Sequence, residues 1–200
     1  MRLKIRLFSL LFAFSVLAGC GGGGGYGSAA PKLHGLPEEP RWSSFGSGQV
    51  TFSYPSDINL KRLEARLRTR WFSISSSERA LFSGSYPIEE RISARLNSLL
   101  LRVEKILGMN VPFMHLKIKI LKNRLELEQE YSKLFGAVQN YRSFYLHSQA
   151  TIYTSMQDIS DSVISHEMAH AVIDHYFKVI PPEKTAELLA TYVDSHLEEG

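Results

Sequence analysis

Apolar side chains along this chain recur with two periods, and the switches between them mark out its elements. Ile88, Ile92, Leu96, Leu99, Val103 and Leu107 recur every three or four residues, which puts them on one face of a helix over Ile88 to Leu107. Gly108 follows where a left-handed C-terminal cap belongs. Val50 to Tyr54 alternates apolar and polar residues and predicts a short strand. Pro55-Ser56-Asp57 then offers a helix start, with Leu60, Leu63 and Leu67 at helical spacing. In the next alternating stretch, Leu116, Ile118 and Ile120 face one way and His115, Lys117 and Lys119 the other, as in a half-buried strand.

Asn123 to Phe135 reads as a further helix, with Gly136 after it. Ser143 to Ser155 is rich in Tyr, Phe, Ile and Thr and predicts one strand or a hairpin. Asp158, Ser160 and Asp161 supply capping and first-turn acids for a helix whose apolar run begins at Val163 and lasts to about Phe177. Pro181-Pro182 breaks that helix, and the second proline can open a last one reaching His196. Helices around a small sheet make the expected class α+β.

Composition changes the picture mainly at the N-terminus. Arg2, Lys4 and Arg6 precede an apolar run from Leu7 to Leu17, shorter than the roughly 20 residues of a bilayer-spanning helix and typical of a secretory signal. Leu17-Ala18-Gly19-Cys20 resembles the lipobox of bacterial lipoprotein precursors. That resemblance implies a signal peptide over residues 1–19 and an acyl anchor on Cys20. Residues 20–42, rich in Gly, Pro and charge, read as a flexible tether, and 43–200 as one domain. With Gly21 after the cysteine, the usual sorting rule favours the outer membrane facing the periplasm in a Gram-negative host, or otherwise the cell surface.

Cys20 is the only cysteine, so no disulfide forms within the chain. The chain has 23 basic and 20 acidic residues, a formal charge of +3. Residues 1–19 hold three of the basic ones and no acid, so the remainder carries 20 of each and a net charge of 0. The basic excess therefore belongs to the targeting segment, and nucleic acid is not an expected partner. Lys61, Arg62, Arg66, Arg68 and Arg70 lie mostly off the leucine stripe and read as a solvated face, with anionic headgroups as the rival partner.

The chemistry concentrates in His166-Glu167-Met168-Ala169-His170. Histidines four apart share a helix face and can point at one ion. Glu167 adjoins the first ligand and can take a proton from water activated by zinc. The flanks Val163, Ile164, Ala171, Val172 and Ile173 are apolar, so the helix is buried, where unpaired histidines and a glutamate would be costly. His175 lies about 140° round the helix from His170 and should point away. Glu187, among apolar neighbours on the next helix, is the expected third ligand. Glu183, in the first turn, is the weaker alternative, because the helix dipole alone accounts for it.

His166-Glu167-Met168-Ala169-His170, followed after sixteen residues by Glu187-Leu188-Leu189-Ala190-Thr191-Tyr192, resembles the gluzincin metallopeptidases, most closely compact peptidases whose glutamate helix reads Glu-Gly-Leu-Ala-x-Tyr. The likeness covers about Ser143 to Leu197 and implies a zincin-like domain. It implies Zn2+ held by His166, His170 and Glu187, with Glu167 as general base and then general acid. It also implies that the Ile152-Tyr153 strand runs along the cleft and pairs with an extended peptide or protein substrate. Leu188 replaces the family's glycine, and Thr191 stands where thermolysin-like enzymes carry an aspartate that orients a zinc histidine. That role can fall to Thr191 or Asp194, with Asp174 as another candidate.

Thermolysin-like enzymes also build one cleft wall, and the donors that stabilise the oxyanion, from a further domain. The sequence ends thirteen residues past Glu187, so another group, or a protein partner completing the cleft, is expected to supply them. Tyr145, Tyr153, Tyr192, His147 and His196 are the candidates within the chain. A catalytically inactive zincin-like lipoprotein acting as a binding or assembly factor is the rival reading. A zinc site closed by a fourth protein ligand is a third.

Overall fold

The computed structural model describes residues 41–67 and 85–198. The signal segment, Cys20 and nearly all of the tether lie outside the described residues, as do Arg68 and Arg70. The chain divides into two compact units, and every described residue belongs to the second, Glu39–Gly200. Among the described residues no helix is long and apolar enough to cross a membrane.

The class is α+β: a five-stranded mixed sheet with five α-helices among the described residues. The elements are β1 (Trp42–Ser47), β2 (Val50–Pro55), α1 (Leu60–Arg66), α2 (Ile88–Leu107), β3 (Leu116–Leu121), α3 (Arg124–Phe135), β4 (Ser143–Leu146), β5 (Thr151–Ser155), α4 (Asp161–Tyr176) and α5 (Glu183–His196). Strand order is β1-β2-β3-β5-β4. β2, β3 and β5 run parallel, while β1 and β4 close the two edges antiparallel.

The helix ends follow local chemistry. Gly108 and Gly136 both adopt positive φ as C-caps, and the side chains of Asn123 and Ser160 accept the N–H groups of Glu126 and Val163. At α1 the cap is Asn59, not the Pro55-Ser56-Asp57 segment. Asn59 Oδ1 accepts the Arg62 N–H at 3.1 Å, Pro55 still belongs to β2, and Asp57 is drawn off to Lys122 at 2.7 Å. Arg66, on the expected solvated face, donates to the Gln157 carbonyl at 3.0 Å.

β1 lies partly in the segment expected to be tether. Its polar sequence, Trp-Ser-Ser-Phe-Gly-Ser, hides the strand, which forms because β2 offers an edge and because Asn97 of α2 grips the hairpin turn. Asn97 accepts the N–H groups of Gln49 and Val50 and donates to the Ser47 carbonyl at 2.6 Å.

One sheet face carries Phe52, Ile118, Ile120 and Ile152 against α1, α2, α4 and α5. The other face packs Leu121, Phe144 and Tyr153 against Leu127 of α3. Ser143 to Ser155 resolves as a hairpin: the 3-10 turn His147–Gln149 folds β4 back along β5. β5 is therefore paired on both sides and wholly buried, and the Ile152-Tyr153 strand cannot pair with a substrate as expected. β4 takes the edge instead.

Asp158 ties this hairpin to the helices. Its carboxylate accepts bonds from the Ser155 hydroxyl at 2.8 Å and from the Arg124 guanidinium, with Arg142 at 3.6 Å. The hydrogen bond from Arg124 chiefly holds its carboxyl below the usual range. Such a carboxylate contributes stability at neutral pH that is lost as pH falls through its lowered value. Asp158→Asn is expected to cost about 1–3 kcal/mol in urea unfolding at pH 7 and to flatten the acid-side decline of stability.

Candidate metal centre

α4 is buried along Ile164, Met168, Ala169, Ala171, Val172 and Ile173. Packing of that apolar side leaves His166, Glu167, His170 and Asp174 lining an open cleft of about 490 Å³. α5 folds back after Pro181-Pro182 and lays Glu183, Ala186 and Glu187 along the same cleft. β4 supplies a further side through Ser143, Phe144 and Tyr145.

His166, His170 and Glu187 converge, each offering one ligand atom within 4.8 Å of the others. His166 Nε2 stands 3.6 Å from Glu187 Oε2, and His170 Nε2 stands 3.4 Å from Oε1. Those separations are long for good N–H···O bonds. They match the roughly 3.3–3.6 Å between donors that are each about 2.0–2.2 Å from one tetrahedral zinc ion.

The proton arrangement on His166 points the same way. Its Nδ1 lies 2.9 Å from Asp194 Oδ2, and a carboxylate only accepts, so Nδ1 carries the hydrogen. In the neutral ring, Nε2 then turns a lone pair toward the Glu187 carboxylate, an arrangement that a cation between them reconciles. Burial pushes the His170 imidazole toward its neutral form, with Glu187 opposing, and a neutral ring is what a metal requires. Glu187 is 55 % exposed, so the group opens to solvent. Among the described residues it has three members, one fewer than a closed tetrahedral site.

Of the three candidates for orienting a ligating histidine, the structure brings only Asp194 to one. Thr191 is exposed on α5. Asp194 is seven residues after Glu187, about 20° from it round the helix, whereas Thr191 is about 40° away. Asp174 faces β4 instead: its Oδ2 accepts the Tyr145 hydroxyl at 2.8 Å and lies against His147 Nδ1. His175 turns back to the Ala171 carbonyl at 2.8 Å and stays out of the ligand group, as its helical angle implied. Glu183 lines the cleft but is not in the ligand group.

Glu167 is buried beside the ligands, and Ser143 Oγ donates to its Oε1 at 2.7 Å. Burial raises its carboxyl above the usual range, and the Ser143 bond is the largest opposing influence. Ser143 was missed by sequence reasoning. Its signal was the strand period: Ser143 and Tyr145, two apart, share the β4 face toward α4, while Phe144 joins the opposite core.

The five tyrosines and histidines considered as donors also separate. Tyr145 and His147 line the cleft. Tyr153 packs in the other core and bonds Gln149 at 3.0 Å, while Tyr192 and His196 stack on each other at 3.9 Å. No family model, no curated protein and no solved structure matches this chain.

Proposed function

We propose that the chain is a zinc-dependent peptidase of the gluzincin kind, its domain zincin-like, held outside the cytoplasm by acyl chains on Cys20. The observation that carries this reading is the meeting of two imidazole Nε2 atoms and a carboxylate at tetrahedral-zinc spacing, with a buried glutamate beside them. A purely structural ion has no use for Glu167 in that place. His166, His170 and Glu187 would hold the metal, with Asp194 fixing the ring of His166.

Bound zinc supplies Lewis acidity for the attack of water on a peptide carbonyl. Glu167 takes the proton of the attacking water and passes it to the leaving amine. Its raised proton affinity suits both halves of that task, and Ser143 keeps the carboxylate aimed. The outer edge of β4, unpaired among the described residues and lining the cleft, suits an extended peptide or protein as substrate. The sorting residue Gly21 favours the outer membrane of a Gram-negative host.

Elemental analysis of the purified chain is expected to find about one zinc per molecule, mostly lost in Glu187→Ala. Little zinc in a well-folded chain would instead favour the binding or assembly lipoprotein. Glu167→Gln should keep the zinc and lower peptide hydrolysis by about 10²–10⁴-fold. Asp194→Ala should weaken zinc affinity by about 10–100-fold in a chelator competition. Cys20→Ser should move the chain from the membrane fraction to the soluble one; continued membrane retention would remove the anchor from the proposal.

A further inference from the structure

The cleft holds a second polar cluster that the metal and its base leave unused. Asp174 sits one turn past His170 on the same face of α4, and its side chain is 8 % exposed. It accepts the hydroxyl hydrogen of Tyr145 of β4 and touches Nδ1 of His147 at the head of the 3-10 turn. That turn ends at Ala150, which takes the left-handed conformation at φ 47°, uncommon for a residue with a Cβ.

The two neighbours of Asp174 differ in what they have left to give. Tyr145 has a single hydroxyl hydrogen, and Asp174 receives it. Burial first, and then Asp174, hold that proton more tightly than in an ordinary tyrosine. His147 turns Nδ1 to Asp174 and still has Nε2. Its side chain is 63 % exposed and lines the cleft shared with His166, Glu167, His170 and Glu187.

Charge singles out the same residue. Glu167, Asp174, Glu183 and Glu187 all line the cleft, and among the described residues no lysine or arginine does. Among the described residues, His147 is the one lining side chain, apart from the two expected ligands, of a basic type.

We propose that His147, positioned by Asp174, is the side chain that binds the oxygen of the scissile carbonyl as negative charge develops on it. The inference rests on the peptidase reading above. In the step, the water oxygen bonds to the carbonyl carbon, the C=O π pair moves onto the carbonyl oxygen, and the water's proton passes to Glu167. His147, with Nδ1 held against Asp174, contributes an Nε2–H hydrogen bond and transfers no proton. The donor thus comes from the β4–β5 hairpin of the same domain. Tyr145 and Asp174 act as positioning residues.

The test compares zinc-loaded wild type with His147→Ala, His147→Gln and Asp174→Asn. Two readouts are taken: turnover of a peptide, and calorimetric binding of a phosphinic peptide against its matched amide. His147→Ala should retain zinc, lower kcat by about 10²–10³-fold with KM little changed, and lose a comparable part of the preference for the phosphinic group. His147→Gln should recover part of both, because its carboxamide N–H stands near the place of Nε2. Asp174→Asn should weaken both readouts, yet cost little more when His147 is already alanine, as expected of residues acting as one unit.

If His147→Ala keeps zinc, kcat and phosphinic affinity, this inference is overturned while the peptidase reading stands. A wild-type chain that binds no zinc overturns both. His147 is largely exposed, so its variants test the role even if Asp174→Asn fails to fold.

Discussion

The burial of α4 is the constraint on which the remaining arrangement depends. Its apolar side is fully enclosed between the sheet and neighbouring helices, so the helix can neither rotate nor slide without exposing that surface. The polar side is thereby fixed, and every polar group on it needs a partner from another element, because burying one unpaired is costly. His166 meets Asp194 of α5, His170 meets Glu187 of α5, Glu167 meets Ser143 of β4, and Asp174 meets Tyr145 and His147. The second neighbour, α5, thus supplies carboxylates where α4 presents imidazoles. The first, β4, supplies hydroxyls and a ring nitrogen where α4 presents carboxylates.

This division separates two electrostatic environments along one helix. At its second and third turns, imidazoles face a carboxylate across distances too long for strong hydrogen bonds, and a divalent cation would resolve the contact. One turn further on, a buried carboxylate is met by the Tyr145 hydroxyl and the His147 ring. Glu167 lies where the first environment borders β4, with burial raising its proton affinity and Ser143 limiting the rise.

The β4–β5 hairpin determines how the cleft is open. Because His147–Gln149 form a tight turn, Ser143–Leu146 return along β5 and become the edge of the sheet. The alternation of strand side chains then sends Ser143 and Tyr145 toward α4 and Phe144 into the aromatic cluster with Tyr153, whose ring stacks on it at 4.8 Å. The same hairpin carries Ser143, which bonds Glu167, and Tyr145 and His147, which meet Asp174. Asp158, joined to Ser155 and Arg124, anchors its far end.

The sequence by itself determined whatever depends on neighbours a few residues apart. Five helices and three strands lay close to where the periodicity put them, because helical stripes, capping side chains and C-cap glycines act locally. The meeting of His166 and His170 followed from one helical turn, and Glu187 from a fold-back after two prolines. What only the tertiary structure decided depends on how elements are rotated and registered against one another. Asp194 rather than Thr191 reaches His166 because of the angle at which α5 lies on α4. β4 rather than β5 takes the sheet edge because the hairpin closes there, and β1 forms because Asn97 and β2 hold its polar sequence in place. Tyr145 and His147, of five aromatic candidates, reach the cleft because strand register and a short turn aim them there. Such directions are set by packing between distant segments, and local periodicity carries no record of them.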